Sequence, residues 1–255
     1  MKTSALKKAG TFFSTILITT VFLALTAANY GGKSSSVIAV TPVTAVPAVN
    51  TIDISFTEKA NALYDSMQLD LMGLSKQTFD YAMKGFNSLL RSGKLENENI
   101  ISIVDFSLPS YKKRLFVIDL SLAKVVFNTY VAHGVNSGAA MASEFSNKPE
   151  SNKSSLGFYE TLNTYLGGHG YSLRLEGLEK GINDNANRRD IVIHGAGYVN
   201  EDLIRSQGYI GRSWGCPALP EQLYKPIINK IKDGTCLFIY SPDKSYLSKS
   251  RIINS

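Results

Sequence analysis

A mainly β fold, a sandwich or barrel with a few helices behind a short helical extension, is what this 255-residue sequence predicts. Three observations carry the expectation. From about Ile100 onward, short runs rich in Val, Ile, Phe and Tyr recur between turn residues. Ahead of them, two stretches repeat their apolar residues at helical spacing. A single further helical pattern interrupts the strands near the end. A hydrophobic content of 44% supplies the core such a domain needs.

In residues 1–28, Lys2, Lys7 and Lys8 precede the uncharged stretch "GTFFSTILITTVFLALTAA", which ends in small residues. That layout predicts a secretory signal peptide cleaved near Ala27 or Ala28, or a membrane anchor where it stays uncleaved. No cysteine lies near the cleavage point to be acylated. Residues 29–55 read as a flexible linker: "YGGKSSSVIAVTPVTAVPAVNT" is charged only at Lys33 and offers neither a helical face nor turn-bounded strands.

Residues 56–95 form the helical extension. Ala60, Leu63, Tyr64 and Met67 fall on one helical face, with Thr57 as the expected N-cap and Gly73 as the stop. Ser75 caps a second helix whose apolar face is Phe79, Met83, Phe86 and Leu90, ended by Gly93. Residues 100–242 make up the strand-rich domain, with runs "NIISIVDFS", "KRLFVIDL", "KVVFNTYVAHG", "LGFYETLNTYLG", "YSLRLEGL", "DIVIHGA" and "TCLFIYS". The second and third are expected to pair as a hairpin across "SLA". A helix is predicted from Pro220, with Leu223, Ile227, Ile228 and Ile231 facing the core and Gly234 as its stop; Pro226 bends it or moves its start. Residues 243–255 read as a solvated basic tail, with Lys244, Lys249 and Arg251.

The net charge of +6 includes Lys2, Lys7 and Lys8, so the rest of the chain is only mildly basic and no nucleic-acid partner is implied. No P-loop or dinucleotide fingerprint is present, and no cofactor is expected. Two cysteines invite a disulfide in an exported chain. Cys236, however, opens an apolar run that reads as a buried strand, whereas Cys216 sits in "GRSWGCPAL", a turn suited to presenting a reactive group.

A thiol becomes a nucleophile when a histidine, a cation or a helix N-terminus favours its thiolate. His194 stands at the end of the "DIVI" strand, where its imidazole emerges at a sheet edge, and the amides of Gly215 and Cys216 offer an oxyanion site. A zinc hydrolase using His133, His169, His194 and Cys216 is a second reading, weakened because no pair has the close helical spacing of common zinc motifs. A third is a wall-binding module without catalysis, hinted at by Trp214. A fourth takes the "TC" of Cys236 as a sortase-like nucleophile.

"IVIHGA" followed by "GRSWGCPAL", with "KSSLGFYET" upstream, resembles the L,D-transpeptidase (YkuD-like) domain of peptidoglycan crosslinking. The likeness is greatest to its murein L,D-transpeptidase catalytic domain branch, through "AHGVNSG", "FSN" and "GGHGYSLRLEGLEKGIN", and spans roughly Leu108 to Ser241. The resemblance implies an L,D-transpeptidase-like β fold, Cys216 as acyl-forming nucleophile, His194 as its base, the Gly195 carbonyl as orienter of the imidazole, and Ser213 as the family serine. Trp214 stands where most members have a second histidine, and Pro217 and Ala218 replace the Arg or Asn after the cysteine. Arg212, Arg174 and Arg188 are therefore the candidates for a substrate carboxylate. His133, His169, Asn136, Tyr171 and Ser172 are candidate pocket-wall residues. The implied partners are peptidoglycan stem peptides in the cell envelope or periplasm, met by a monomer. Transfer of the acyl group to water makes the same site an L,D-carboxypeptidase, and transfer to a protein amine makes it an anchoring enzyme.

Overall fold

The computed structural model describes residues 51–254, with side chains from Phe56 onward. The expected signal or anchor and most of the expected linker lie outside the described residues. Eight strands form one sheet: β1 (Ile100–Asp105), β2 (Leu115–Asp119), β3 (Lys124–Thr129), β4 (Gly157–Gly167), β5 (Gly170–Gly177), β6 (Val192–Gly195), β7 (Ala218–Leu219) and β8 (Cys236–Tyr240). Their order is β3-β2-β1-β8-β4-β5-β6-β7. β1–β8 and β6–β7 are parallel and the other neighbours antiparallel. The mainly β class with few helices is thus as the sequence predicts, and the hairpin across "SLA" is β2–β3.

Every residue of β1, β2 and β8 is buried, which is why these strands read as continuous apolar runs instead of alternating ones. Helices α1 (Thr51–Ser66) and α2 (Lys76–Arg91) belong to the same core cluster, with Tyr64 on α1 and Phe79 on α2 meeting at 5.4 Å between ring centroids. The Ser75 side chain accepts from the Thr78 N–H, as a cap should. Helix α1 begins earlier than expected, so Thr57 lies within it and is not its cap.

At Gly85, α2 comes close against the sheet. A methyl group there would sit 2.0 Å from Phe158 Cζ, and Phe158 is itself fully buried and stacked on Phe238 at 4.2 Å. Gly85→Ala therefore sets a helix-propensity gain of about 1 kcal/mol against an overpacking cost of about 1–3 kcal/mol. With no room for Phe158 to retreat, the cost wins, and a urea titration is expected to show a net loss of stability.

Helix α3 (Glu201–Gln207) has no counterpart in the sequence expectation; Asn200 caps it, accepting from the Leu203 N–H, and Gly208 closes it at φ 85°. Helix α4 (Tyr224–Ile231) begins four residues after Pro220, which places Pro226 in its first turn, where a missing N–H costs nothing. The C-terminal segment departs from the solvated tail expected of it. Asp243 caps α5 (Lys244–Lys249), Tyr246 is buried, and the Tyr246 and Ser250 hydroxyls both donate to the buried carboxylate of Glu179, which also accepts the Phe158 N–H. A small second cluster of Ala132, Ala196, Val199, Ile210 and Ala218 packs beneath the loops around the end of β6.

Candidate active site

Strand β6 pairs with β5 through His194↔Ser172 and with β7 through His194↔Ala218. That parallel pairing carries the turn before β7 alongside the end of β6, so Cys216 and His194 line one cavity of about 590 Å³. His169, Arg212, Ser213 and Trp214, all singled out from the sequence, line it too. Trp214 is 78% exposed and so stands at the rim.

His194 is buried and its Nδ1 lies 3.0 Å from the Gly195 carbonyl. With Nδ1–H donating there, Nε2 is left as the unprotonated nitrogen. Its ring stacks on His169, centroids 4.4 Å apart. Burial, with a smaller contribution from His169, pushes the His194 pKa down, although the Gly195 bond opposes it. The imidazole is therefore neutral at ordinary pH. The Cys216 thiol is pushed the other way by burial and by Asp190, while the Val192 N–H and Arg189 pull it back. Its Sγ accepts from the Val192 N–H at 3.5 Å and its S–H donates to the Asp190 carbonyl at 3.6 Å. Among the described residues His194 is not a hydrogen-bond partner of Cys216. Thiol and imidazole thus rest as an uncharged pair in a shared cavity.

The turn that carries Cys216 is braced from inside and from behind. Ser213 Oγ donates to the Cys216 carbonyl at 2.6 Å and accepts the Gly215 N–H at 3.1 Å. Behind the turn, Ser213 N–H donates to the His133 carbonyl and Val135 N–H to the Ser213 carbonyl. Gly215 has φ +125°, and a methyl group on it would meet Ile191 Cδ1 and the Lys153 carbonyl, both at 2.9 Å. One expectation changes here: the Gly215 amide is taken up by Ser213 Oγ, so it is not aimed at a substrate oxygen. The Cys216 amide has no acceptor among the described residues.

Several candidates lie elsewhere. His133 is fully buried outside the cavity, not on its wall; Arg114 Nη2 donates to its Nδ1 at 2.7 Å, and its pKa falls to about 4 through burial and the Arg114 charge. Tyr171 bonds to Asn229 of α4 at 2.7 Å, and Arg174 lies over the Tyr165 ring at 4.2 Å. Arg188 is exposed, Asn136 donates to the Ser151 carbonyl, and Ser172 is buried against the Gly170 carbonyl; none lines the cavity. Both described cysteines are free, and among the described residues no group of three His, Cys, Asp or Glu side chains is placed to hold a metal. Cys236 is fully buried on β8 and its thiol is pushed up by that burial, which leaves no access for a sortase-like role.

Cavity residues that the sequence did not flag include Tyr165, Tyr198, Arg189 and Asp190. Burial and the neighbouring Cys216 raise Tyr198 to about 12. The signal for Arg189 was present one residue away from the arginine chosen: a 3₁₀ turn, Asn187–Arg189, ends on Asp190 in the left-handed conformation, and only the second arginine turns inward.

A family model described as L,D-transpeptidase catalytic domain matches residues 71–240. The chain belongs to that family. The match begins in the turn after α1 and ends with β8, so it includes α2 and the whole sheet of this L,D-transpeptidase catalytic domain. No curated protein matches the chain. Among solved structures, an L,D-transpeptidase from Mycobacterium smegmatis is similar at 13% identity and TM-score 0.35, over 56% of this chain and 59% of that one. The helical cell shape determining protein from Campylobacter jejuni is similar at 14% identity and TM-score 0.38, over 67% and 58%. L,D-transpeptidase 3 from Mycobacterium tuberculosis, in complex with a faropenem-derived adduct, is similar at 13% identity and TM-score 0.35, over 56% and 60%. The match therefore spans less than two thirds of the length of each of these chains.

Proposed function

We propose that this protein is an exported, monomeric peptidoglycan L,D-transpeptidase with Cys216 as nucleophile and His194 as base. One observation carries the reading: a free thiol and a neutral imidazole whose Nδ1 is tied to Gly195 face one cavity in a chain of this family. The thiol gives its proton to His194 Nε2 as Sγ attacks the carbonyl carbon of the third stem residue. The Cys216 amide and the cavity cations oppose the negative charge gathering on the oxygen. As the tetrahedral centre collapses, the C–N bond to the terminal D-alanine breaks and the imidazolium protonates the departing amine. An amine of a second stem then attacks the thioester, a peptide bond forms, and the thiol is restored. Arg212, its Nη1 bonded to the Gly138 carbonyl at 3.1 Å, is the cavity guanidinium suited to the donor's carboxylate. Ser213 keeps the turn in shape and takes no part in proton transfer.

Because the mechanism passes through a thioester, a carbapenem should trap it. Intact-mass measurement after incubation with imipenem is expected to show one adduct on the wild type and none on Cys216→Ala. An adduct that persists in the variant would overturn the assignment.

A further inference from the structure

Among the described residues, no carboxylate pairs with the Arg189 guanidinium. Its Nη1 donates to the Ser146 carbonyl at 2.7 Å and Ser155 Oγ at 2.6 Å, and its Nη2 to the Lys153 carbonyl at 2.7 Å and Ser151 Oγ at 3.1 Å. All four acceptors are neutral. Four bonds fix a charge that no described carboxylate pairs with, in a partly buried place where Coulomb interactions are only weakly screened. The group also lies beside the turn that carries Cys216. Nη2 lies 3.5 Å from the point where a Gly215 Cβ would sit, which puts the guanidinium within van der Waals range of the back of the turn.

We propose that Arg189 is the electrostatic partner of the Cys216 thiolate, supplying from the 3₁₀ turn the positive charge that this chain lacks immediately after its cysteine. The proposal rests on the reading of Cys216 as nucleophile. Other charged or titratable groups around the thiol are fewer or differently aimed. Asp190, beside it, disfavours the thiolate. Arg212 spends Nη1 on the Gly138 carbonyl and lies 5.5 Å over the Tyr209 ring. His194 and His169 stack on each other, Tyr198 stays protonated, Glu150 is exposed, and Lys153 is paired with Glu144. The mutual influence of Arg189 and Cys216, each favouring the other's charged form, agrees with the geometry.

The test is the pH dependence of Cys216 alkylation by iodoacetamide on the full chain. In this step the thiolate sulfur forms a bond to the methylene carbon, the C–I bond breaks, iodide leaves, and the thiol proton goes to solvent. Cys236 is fully buried, so the rate reads Cys216. Arg189→Gln is expected to move the titration midpoint up by about one unit and to cut the rate at neutral pH about tenfold, with the high-pH plateau unchanged. Arg189→Lys, which keeps the charge but reaches fewer of the four oxygens, is expected to shift it by roughly half as much or less. Arg189→Met serves as the neutral variant if Arg189→Gln lacks the wild-type circular-dichroism spectrum. A neutral variant that titrates like wild type overturns the proposal, as does a lysine variant that shifts as far as the neutral one, since that pattern marks a shape effect and not a charge effect. The readout needs no stem peptide: failure of the carbapenem trap would sink the function, while failure of this titration would sink only the role of Arg189.

Discussion

His194→Gln is expected to slow acylation of Cys216 by imipenem about 10²–10⁴-fold, the usual contribution of a positioned base. The size follows from the resting state of the pair. Burial holds the thiol protonated, so a neighbour must take the proton at the moment of attack, and a glutamine amide offers no such acceptor. The pH profile carries the same information with a definite sign. Because burial lowers the His194 pKa, the imidazole remains a competent base below its usual value near 6.5, and the acid limb of wild-type acylation is expected beneath that value. The apparent constants belong to the coupled pair and not to either residue. Stopped-flow acylation of both proteins across pH checks the prediction. A loss smaller than tenfold, or an acid limb above 6.5, would remove His194 from the role of base.

Arg114→Met is expected to lower stability by roughly 2–4 kcal/mol, from the cost of leaving buried acceptors without a donor. Arg114 is fully buried. It donates Nε and Nη2 to the Val131 carbonyl at 3.1 and 2.9 Å, Nη1 to the Leu108 carbonyl at 2.9 Å, and Nη2 again to His133 Nδ1. Burial drags its pKa down to about 9, and Asp105 restrains the fall. Methionine fills much of the space but satisfies neither the Val131 carbonyl nor His133. The loss does not stop at the core, because His133 Nε2 lies 3.3 Å from the Gly138 carbonyl that also holds Arg212, and the His133 carbonyl holds the Ser213 N–H. Thermal unfolding is expected to drop by roughly 5–15 °C on that energy scale. An unchanged midpoint would mean that the guanidinium is replaceable by packing alone.

Much of the architecture could be read in the chain because its signals are local. The valine- and isoleucine-rich runs, Ser75 as a cap and the meeting of "IVIHG" with "GRSWGC" depend on neighbours a few residues away or on one strand pairing. The misread parts are set by distant partners. His133 sits in a glycine-rich segment that looks like a pocket wall, yet Arg114, just ahead of β2, holds it in the core. The tail looks solvated because of its lysines, yet Glu179 reaches Tyr246 and Ser250 from the far side of the sequence. Arg188 and Arg189 are chemically identical as text, yet the 3₁₀ turn leaves Arg188 exposed and sets Arg189 on the cavity wall. The Gly215 amide looked free because nothing in the sequence says that the Ser213 side chain would fold back onto its own turn.

The place of β8 has a consequence for how the molecule comes into being. The last of the described strands in chain order is not at a rim; it lies between β1 and β4, pairing Ile101 with Cys236 and Gly157 with Ile239. Without it, β1 and β4 each present an unpaired edge, and closing such long-range pairings is slow. A chain stopped short of Cys236 would lack the seam between β1 and β4, and contacts behind the Cys216 turn, such as Ser213 N–H to the His133 carbonyl and Ala132 N–H to the Ala218 carbonyl, would be left to tie its two parts together.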